Sequence, residues 1–418
     1  MAKRKVIFQE FPRIGIFHVM AEAEEFGYRP GRPDWCNLGQ GQPEVGRIEG
    51  APSRLAWITL EPHDHAYGPA GGIDDLREAV AEHYNRLYRE DSDSKYRKEN
   101  VSISSGGRMT LSRILTTLAD VRIGYRIPDS SVYENLLEYQ LHRMKAIPVP
   151  TGSDESFILA PARLKEAVIA NKLKAFLLSN PCNPTGQLIR DKDLKKYVIA
   201  ARRSRFTLIL DESYSQFTYG DDGEPGSEPE SAARYVDHVE KDPVLLVDGM
   251  TKGFRYPGWR LGWVVGPSSV IAKLDRAASI MDGGPSLPAQ RLAIKALEPD
   301  RADQETCAVR RVFARKRNHM LKALEGMGIR CEHEPRGAFY VWADLGDLAK
   351  PLNNAQKFFE GCLERKVLTV PGRFFDVNPA GTNRPMKELK KWIRFSFGLP
   401  EEKMNMGLER IKEMIQGD

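Results

Sequence analysis

From about residue 70 to residue 300 the chain alternates short β-branched or apolar runs with longer, charged, amphipathic segments. That alternation predicts parallel strands joined by helices, because two parallel strands cannot be closed by a tight turn and need a crossover of a dozen or more residues. Strands are predicted at 122–127 (RIGYRI), 174–179 (KAFLLS), 206–210 (FTLIL), 244–248 (VLLVD) and 261–266 (LGWVVG). Helices are predicted at 73–89, opened by IDDLREAV with acids in the first turn, and at 189–203, opened by an Asp and rich in Lys and Arg. Residues 221–232, DDGEPGSEPESA, are poor in apolar side chains and rich in Gly, Pro and acids, so they read as an exposed loop. No internal repeat interrupts the pattern.

A chain of 418 residues is long for one core, which favours two subdomains. Near residue 311 the sequence restarts with a basic helix, RRVFARKRNHMLKALEGMG, and then alternates strands and helices to the end. The fold expected is α/β: a large domain over 56–310 on a mostly parallel sheet flanked by helices, and a smaller α+β domain over 311–418 completed by 1–55. The 62 Lys and Arg against 57 Asp and Glu leave +5, spread along the chain with no basic block, so nucleic acid is not an expected partner. The five cysteines, Cys36, Cys182, Cys307, Cys331 and Cys362, are odd in number and far apart, as reduced thiols are. The basic start MAKRKVIFQEFPRIGIF is followed by no apolar run of signal-peptide length, and no stretch elsewhere is long enough to span a bilayer. A cytoplasmic protein with no membrane partner is the expectation.

In an open α/β sheet ligands bind beyond the carboxyl ends of the strands, so the residues after each strand carry the functional signal. After 244–248 comes Lys252 in GMTKGF. A lone lysine is most often a solvated surface residue, but one whose surroundings lower its pKa is an amine nucleophile able to capture an aldehyde. Its neighbours decide between the two. After 101–104 stand Gly106 and Gly107, opening a helical pattern whose backbone N–H groups suit a phosphate. After 174–179 comes NPCNPTG, in which the prolines and Gly186 explain a rigid bend but leave Asn183 without a structural task. After 206–210 comes Asp211, a carboxylate that would be costly to bury without a cation or a protonated ring nitrogen. Arg260 offers a bidentate donor to a phosphate. Phosphate donors, an acid for a ring nitrogen, an amide for a ring oxygen and an amine for an aldehyde together specify pyridoxal 5′-phosphate. A carboxylate that keeps the pyridine nitrogen protonated makes that ring an electron sink.

On these residues the chain resembles the class I/II aminotransferases, the fold-type I pyridoxal-phosphate-dependent enzymes, from about Tyr67 to Gly398. The matching motifs are YGPAGGIDDLR at 67–77, NPCNPTG at 180–186, DESY at 211–214, TKGFRYPGWRLG at 251–262, PRGAFYVW at 335–342 and RFSFG at 394–398. The resemblance implies that Lys252 holds the cofactor as an internal aldimine and then shuttles the proton. By the same resemblance Asp211 pairs with the pyridine nitrogen, and Asn183 and Tyr214 bond the 3′ oxygen. Gly106, Gly107 and Arg260 hold the phosphate, assisted by Thr251. Tyr67 matches a tyrosine that reaches the phosphate of a neighbouring subunit, which implies a homodimer. Arg394 matches the arginine that clamps the substrate α-carboxylate, and Gly41, in LGQGQP, falls on the substrate side.

The sequence departs from the family at four places. Gly249 stands where a serine is common, which moves phosphate binding toward Arg108. Arg108 itself is not the usual residue after the glycine pair, and is assigned to phosphate or substrate. The aromatic that stacks on the cofactor is assigned to Tyr133 of PDSSVYEN, outside the usual pattern. Finally, members that take dicarboxylates carry a second arginine, from the partner subunit, before a stretch resembling SIMDGGPS at 279–286; this chain has none at that place, the nearest being Arg276, and Asp282 occupies that neighbourhood. It is either a solvated loop carboxylate or part of a side-chain pocket that accepts a neutral or cationic, arginine-like amino acid. The expected activity is transfer of an amino group between an L-amino acid and a 2-oxo acid. A lyase, cyclase or synthase on the same scaffold is the alternative, since the bond broken depends on pocket geometry. A cofactor-binding regulator would need a separate DNA-binding domain, and no helix-turn-helix is present.

Overall fold

The computed structural model describes residues 15–381 and 385–417. The basic start of the expected N-terminal segment, residues 1–14, lies outside the described residues. Seven strands form the central sheet, in the spatial order Val101–Ser104, Gly262–Val265, Val244–Gly249, Thr207–Asp211, Ala175–Ser179, Arg122–Ile127 and Lys145–Pro150. Gly262–Val265 runs antiparallel to both neighbours and the other six run parallel to one another. Helices cover both faces, which is why these strands read as near-continuous apolar runs. Phe176, Leu178, Leu208, Leu210 and Leu246 enter one core, while Ala175, Leu177, Ile209, Leu245 and Val247 enter the core on the opposite face.

The expected strands are all present. The one that sequence reasoning passed over is Lys145–Pro150, whose prolines argue against a central strand. It lies at the sheet edge, where it pairs only with Arg122–Ile127 and the missing N–H groups cost no ladder bond. The expected helices appear as Asp74–Tyr88 and Asp191–Ser204.

A second core gathers residues from both ends of the chain. It contains the antiparallel sheet Val370–Pro371, Trp392–Ser396 and Tyr340–Asp344, a parallel pairing of Cys36–Asn37 with Val367–Leu368, and the helices Ala355–Glu364 and Glu401–Gln416. The basic helix expected from 311 begins at Pro299 and runs unbroken to Gly326, so position 310/311 falls inside it. Along this helix Ala302 packs in the first core and Ala308 in the second. All five cysteines are free thiols, and among the described residues no helix is long and apolar enough to cross a membrane.

Candidate active site

The register of the parallel strands places Ser179 beside Asp211 and Asp211 beside Val247, so the polar residues that end each strand meet at one edge of the sheet. A cavity of about 740 Å³ opens there. Its lining includes Lys252, Asp211, Asn183, Tyr214, Arg260 and Arg394, drawn from both halves of the chain. Lys252 projects into it from the turn after Val244–Gly249, and its Nζ donates to the Gly41 carbonyl. Part of the side chain faces the open cavity, but the ammonium is enclosed by protein. Burial lowers its pKa to about 8, helped by the cations Arg394, Arg108 and Arg260 and opposed by Asp211. This is the environment of a reactive amine and not of a solvated lysine.

Asp211 accepts from Tyr133 Oη at 3.0 Å and from Ser213 Oγ at 2.6 Å. Tyr133 therefore serves the site through its hydroxyl. Its ring is fully buried, and the cavity wall in that stretch is made by Ser130, Ser131 and Val132, so Tyr133 is not placed as the stacking aromatic expected of it. The two asparagines of NPCNPTG divide their work. Asn180 pins the loop by exchanging bonds of 2.8 Å with the Ile189 backbone, while Asn183 Oδ1 faces the cavity and accepts from Arg394 Nη1 at 2.6 Å. Arg394 Nη2 also donates to Gly39 O at 2.5 Å, and its Nε is buried without a partner. Buried polar groups are rarely left unpaired, so this orphan donor marks a place for an anion.

Gly106 has φ +91° and caps the helix Gly107–Thr117. A Cβ on Gly106 would stand 2.4 Å from Arg260 Nη2, and one on Gly262 would stand 2.8 Å from Gly106 C. Two glycines thus let the guanidinium and the helix N-terminus share one cup. Arg108 and Thr251 line the same cavity. Gly249 has a steric reason to replace the serine: a Cβ there would lie 2.5 Å from Leu261 O, because its strand is hydrogen-bonded to the next at that point. Tyr67 is fully exposed on this chain.

Asp282 is neither solvated nor free for a substrate. It forms a two-pronged ion pair with Arg113 Nη2, at 2.8 and 3.0 Å, and Arg113 is only 2% exposed. The reading of Asp282 as a partner for an arginine-like substrate is corrected by that pairing.

Sequence reasoning also missed two features. Tyr340 Oη lies 2.7 Å from Tyr214 Oη, although its motif PRGAFYVW was visible. The other is a buried Arg54–Glu305–Arg255 cluster. Arg255 Nε donates to Glu305 at 2.7 Å and its Nη1 to the carbonyls of Glu44 and Gly46, while Arg54 reaches Glu305 and the carbonyls of Phe254 and Arg255. It fastens the loop that carries Lys252 to the strap that carries Gly41. Residues 251–262 carried no local sign of that partner.

Residues 33–411 match the family model described as Aminotransferase class I and II. The chain belongs to the class I and II aminotransferases. It is 30% identical to an aspartate aminotransferase of Sulfurisphaera tokodaii over 91% of this chain and 89% of that one. It is 28% identical to an aromatic-amino-acid aminotransferase of Thermococcus litoralis, covering 91% of each. Among solved structures, an aspartate aminotransferase of Thermus thermophilus with maleate superposes with a TM-score of 0.78 at 26% identity, covering 97% of both chains. The protein is therefore a pyridoxal-phosphate-dependent enzyme that transfers an amino group between an amino acid and a 2-oxo acid. These relatives are aminotransferases, which does not favour the lyase, cyclase or synthase alternative. The side chains fit the cofactor: a lysine of lowered pKa, a carboxylate within the same cavity, a glycine cup beside Arg260, and an arginine with an orphan buried donor.

Proposed function

We propose that Lys252 is the residue that holds pyridoxal phosphate and then moves the proton at the substrate α-carbon. The observation that carries this reading is the convergence of the Lys252 amine, Asp211 and Arg394 on one cavity, where burial lowers the pKa of that amine. Bound pyridoxal phosphate supplies an electron sink for negative charge developing at that carbon. Asp211, aligned by Tyr133 and Ser213, keeps a ring nitrogen protonated. Asn183 and Tyr214 bond the ring oxygen. Gly106, Gly107, Arg108, Thr251 and Arg260 receive the phosphate. Arg394, held in orientation by Asn183 and Gly39, receives the α-carboxylate, with Gly41 beside it.

Two copies of the chain form the working unit, with Tyr67 of each reaching the other's phosphate; its full exposure on one chain supports this. The cofactor is held by the large domain expected over 56–310, whose C-terminal limit lies inside the helix Pro299–Gly326 rather than at 310, against a small domain formed by the C-terminal part and the described part of the N-terminal segment. Five free thiols support a reducing compartment, the cytoplasm. The names of the relatives make aspartate and aromatic amino acids the first donors to assay.

Purified protein is expected to be yellow, with a visible band that borohydride removes, and Lys252→Ala should lose the covalently held cofactor. Single amino acids added anaerobically without a keto acid should convert the cofactor to its amine form and release one equivalent of 2-oxo acid. A wild-type protein that stays colourless in excess pyridoxal phosphate refutes the assignment.

A further inference from the structure

Tyr340 is fully buried and touches two of the proposed site residues at once. Its phenol oxygen lies 2.7 Å from Tyr214 Oη, and its ring centroid lies 4.2 Å from the Arg394 guanidinium carbon. A second ring, Phe375, stands 4.9 Å from the same carbon. Tyr340 belongs to the strand Tyr340–Asp344, paired with Trp392–Ser396, so that Trp342 and not Tyr340 is the register partner of Arg394. Tyr340 thus approaches the guanidinium diagonally, within reach of a large side chain across an antiparallel pair. A Cβ on Gly41 would stand 3.4 Å from Tyr340 Oη and 4.0 Å from Lys252 Nζ, so the phenol and the amine converge on the same carbonyl-bearing strap.

Between two phenols only one proton can lie in the shared bond. Either oxygen can donate in this bond and neither has another hydrogen-bond partner among the described residues, so the direction is set by which phenol serves the cavity; Tyr214 is the member whose hydroxyl is proposed to bond the ring oxygen. We propose that Tyr340 is a positioning residue for both halves of the reaction: its hydroxyl donates to Tyr214 and leaves the Tyr214 proton for an acceptor in the cavity, while its ring is the platform that carries Arg394. This rests on the reading of Tyr214 and Arg394 given above.

Two consequences follow from the chemistry. A phenol that accepts a hydrogen bond becomes a stronger donor, because the chain of bonds is polarised. Tyr214 then withdraws more charge from the ring oxygen and lowers the pH at which the bound chromophore loses its proton. The charged and titratable groups facing this pair are Arg394, Lys252, Asp211 and the two phenols themselves. The ring contributes separately, since a guanidinium over an aromatic face is held by the ring quadrupole whether or not the ring bears a hydroxyl.

The two contributions separate in two variants of the holoenzyme, each titrated by its visible absorbance without substrate and then with 2-methylalanine, which carries an α-carboxylate and an amine but no α-hydrogen. Tyr340→Phe should raise the spectroscopic midpoint by about half a pH unit while leaving the 2-methylalanine dissociation constant within about twofold, because the platform survives. Tyr340→Leu should raise the midpoint equally and weaken 2-methylalanine by about tenfold. A Tyr340→Phe midpoint equal to wild type overturns the donor role, and a Tyr340→Leu affinity equal to that of Tyr340→Phe overturns the platform. Neither result resembles failure of the underlying assignment, in which wild type itself would show no titrating visible band.

Discussion

The amine of Lys252 can be titrated directly in protein stripped of cofactor. With a pKa lowered to about 8, roughly a quarter of the amine is neutral at pH 7.5, against about a thousandth for an ordinary lysine, a gap of about 200-fold in the reactive species. Reductive methylation by formaldehyde and cyanoborohydride, quantified by mass spectrometry on the peptide that contains Lys252, reads the neutral fraction across pH. The midpoint should lie near 8. Burial is the largest cause, and Arg394, Arg108 and Arg260 push in the same direction while Asp211 opposes them. Arg394→Gln should therefore move the midpoint up and Asp211→Asn should move it down. The linkage has the same origin: the folded pKa lies below the unfolded value of 10.5, so the unfolded chain binds more protons between about 8 and 10.5. The contribution of this group to stability accordingly rises with pH across that window and is least below it. A midpoint close to that of surface lysines, or one that Arg394→Gln lowers, would refute the account of Lys252 as a buried amine pressed by cations.

Other expectations concern the parts around it. Glu305→Ala leaves Arg54 and the fully buried Arg255 without their shared carboxylate, which should cost about 3–5 kcal/mol, read as a lower denaturation midpoint at unchanged slope with cofactor saturating. A loss under about 1 kcal/mol would deny the cluster its role in holding the lysine loop. Gly106→Ala forces a side chain onto φ +91° and displaces Arg260, so affinity for pyridoxal phosphate should fall by about tenfold or more while affinity for unphosphorylated pyridoxal stays level. Equal losses for both would remove this cup from phosphate binding. Asp282→Asn should destabilise the protein, since Arg113 is left buried without a countercharge, yet leave the ratio of basic to acidic donors unchanged. A selective loss of basic donors would restore the substrate reading that the Arg113 pair displaced.

Much of the site was legible because each motif follows a strand, and a strand end in a parallel sheet has only one place to be. NPCNPTG, DESY and TKGF each continue a strand whose register sets its neighbours side by side, so Asn183, Asp211 and Lys252 could be named before their contacts were known. The start of the helix at Pro299 is also written locally, in a proline at the first turn followed by Asp300, a dozen residues before the basic run. Tyr133 was misdirected for a different reason: an aromatic near the right position says nothing about whether its ring or its hydroxyl reaches the site.

The sequence by itself determined the α/β architecture, the family and the residues at the strand ends, because periodicity and turn chemistry act over a few neighbouring positions. The tertiary structure decided the partners. Lys252 meets Gly41 and Asn183 meets Arg394 across 211 residues in each case, and Arg255 meets Glu305 across 50. Those pairings depend on how two cores close on one another, and nothing within a turn or strand of either residue encodes them. The pKa of the lysine, the freedom of Tyr214 to donate and the occupation of Asp282 by Arg113 all follow from such distant contacts. They are therefore properties of the packed molecule, fixed only when burial removes water and leaves each charge to the neighbours the fold supplies.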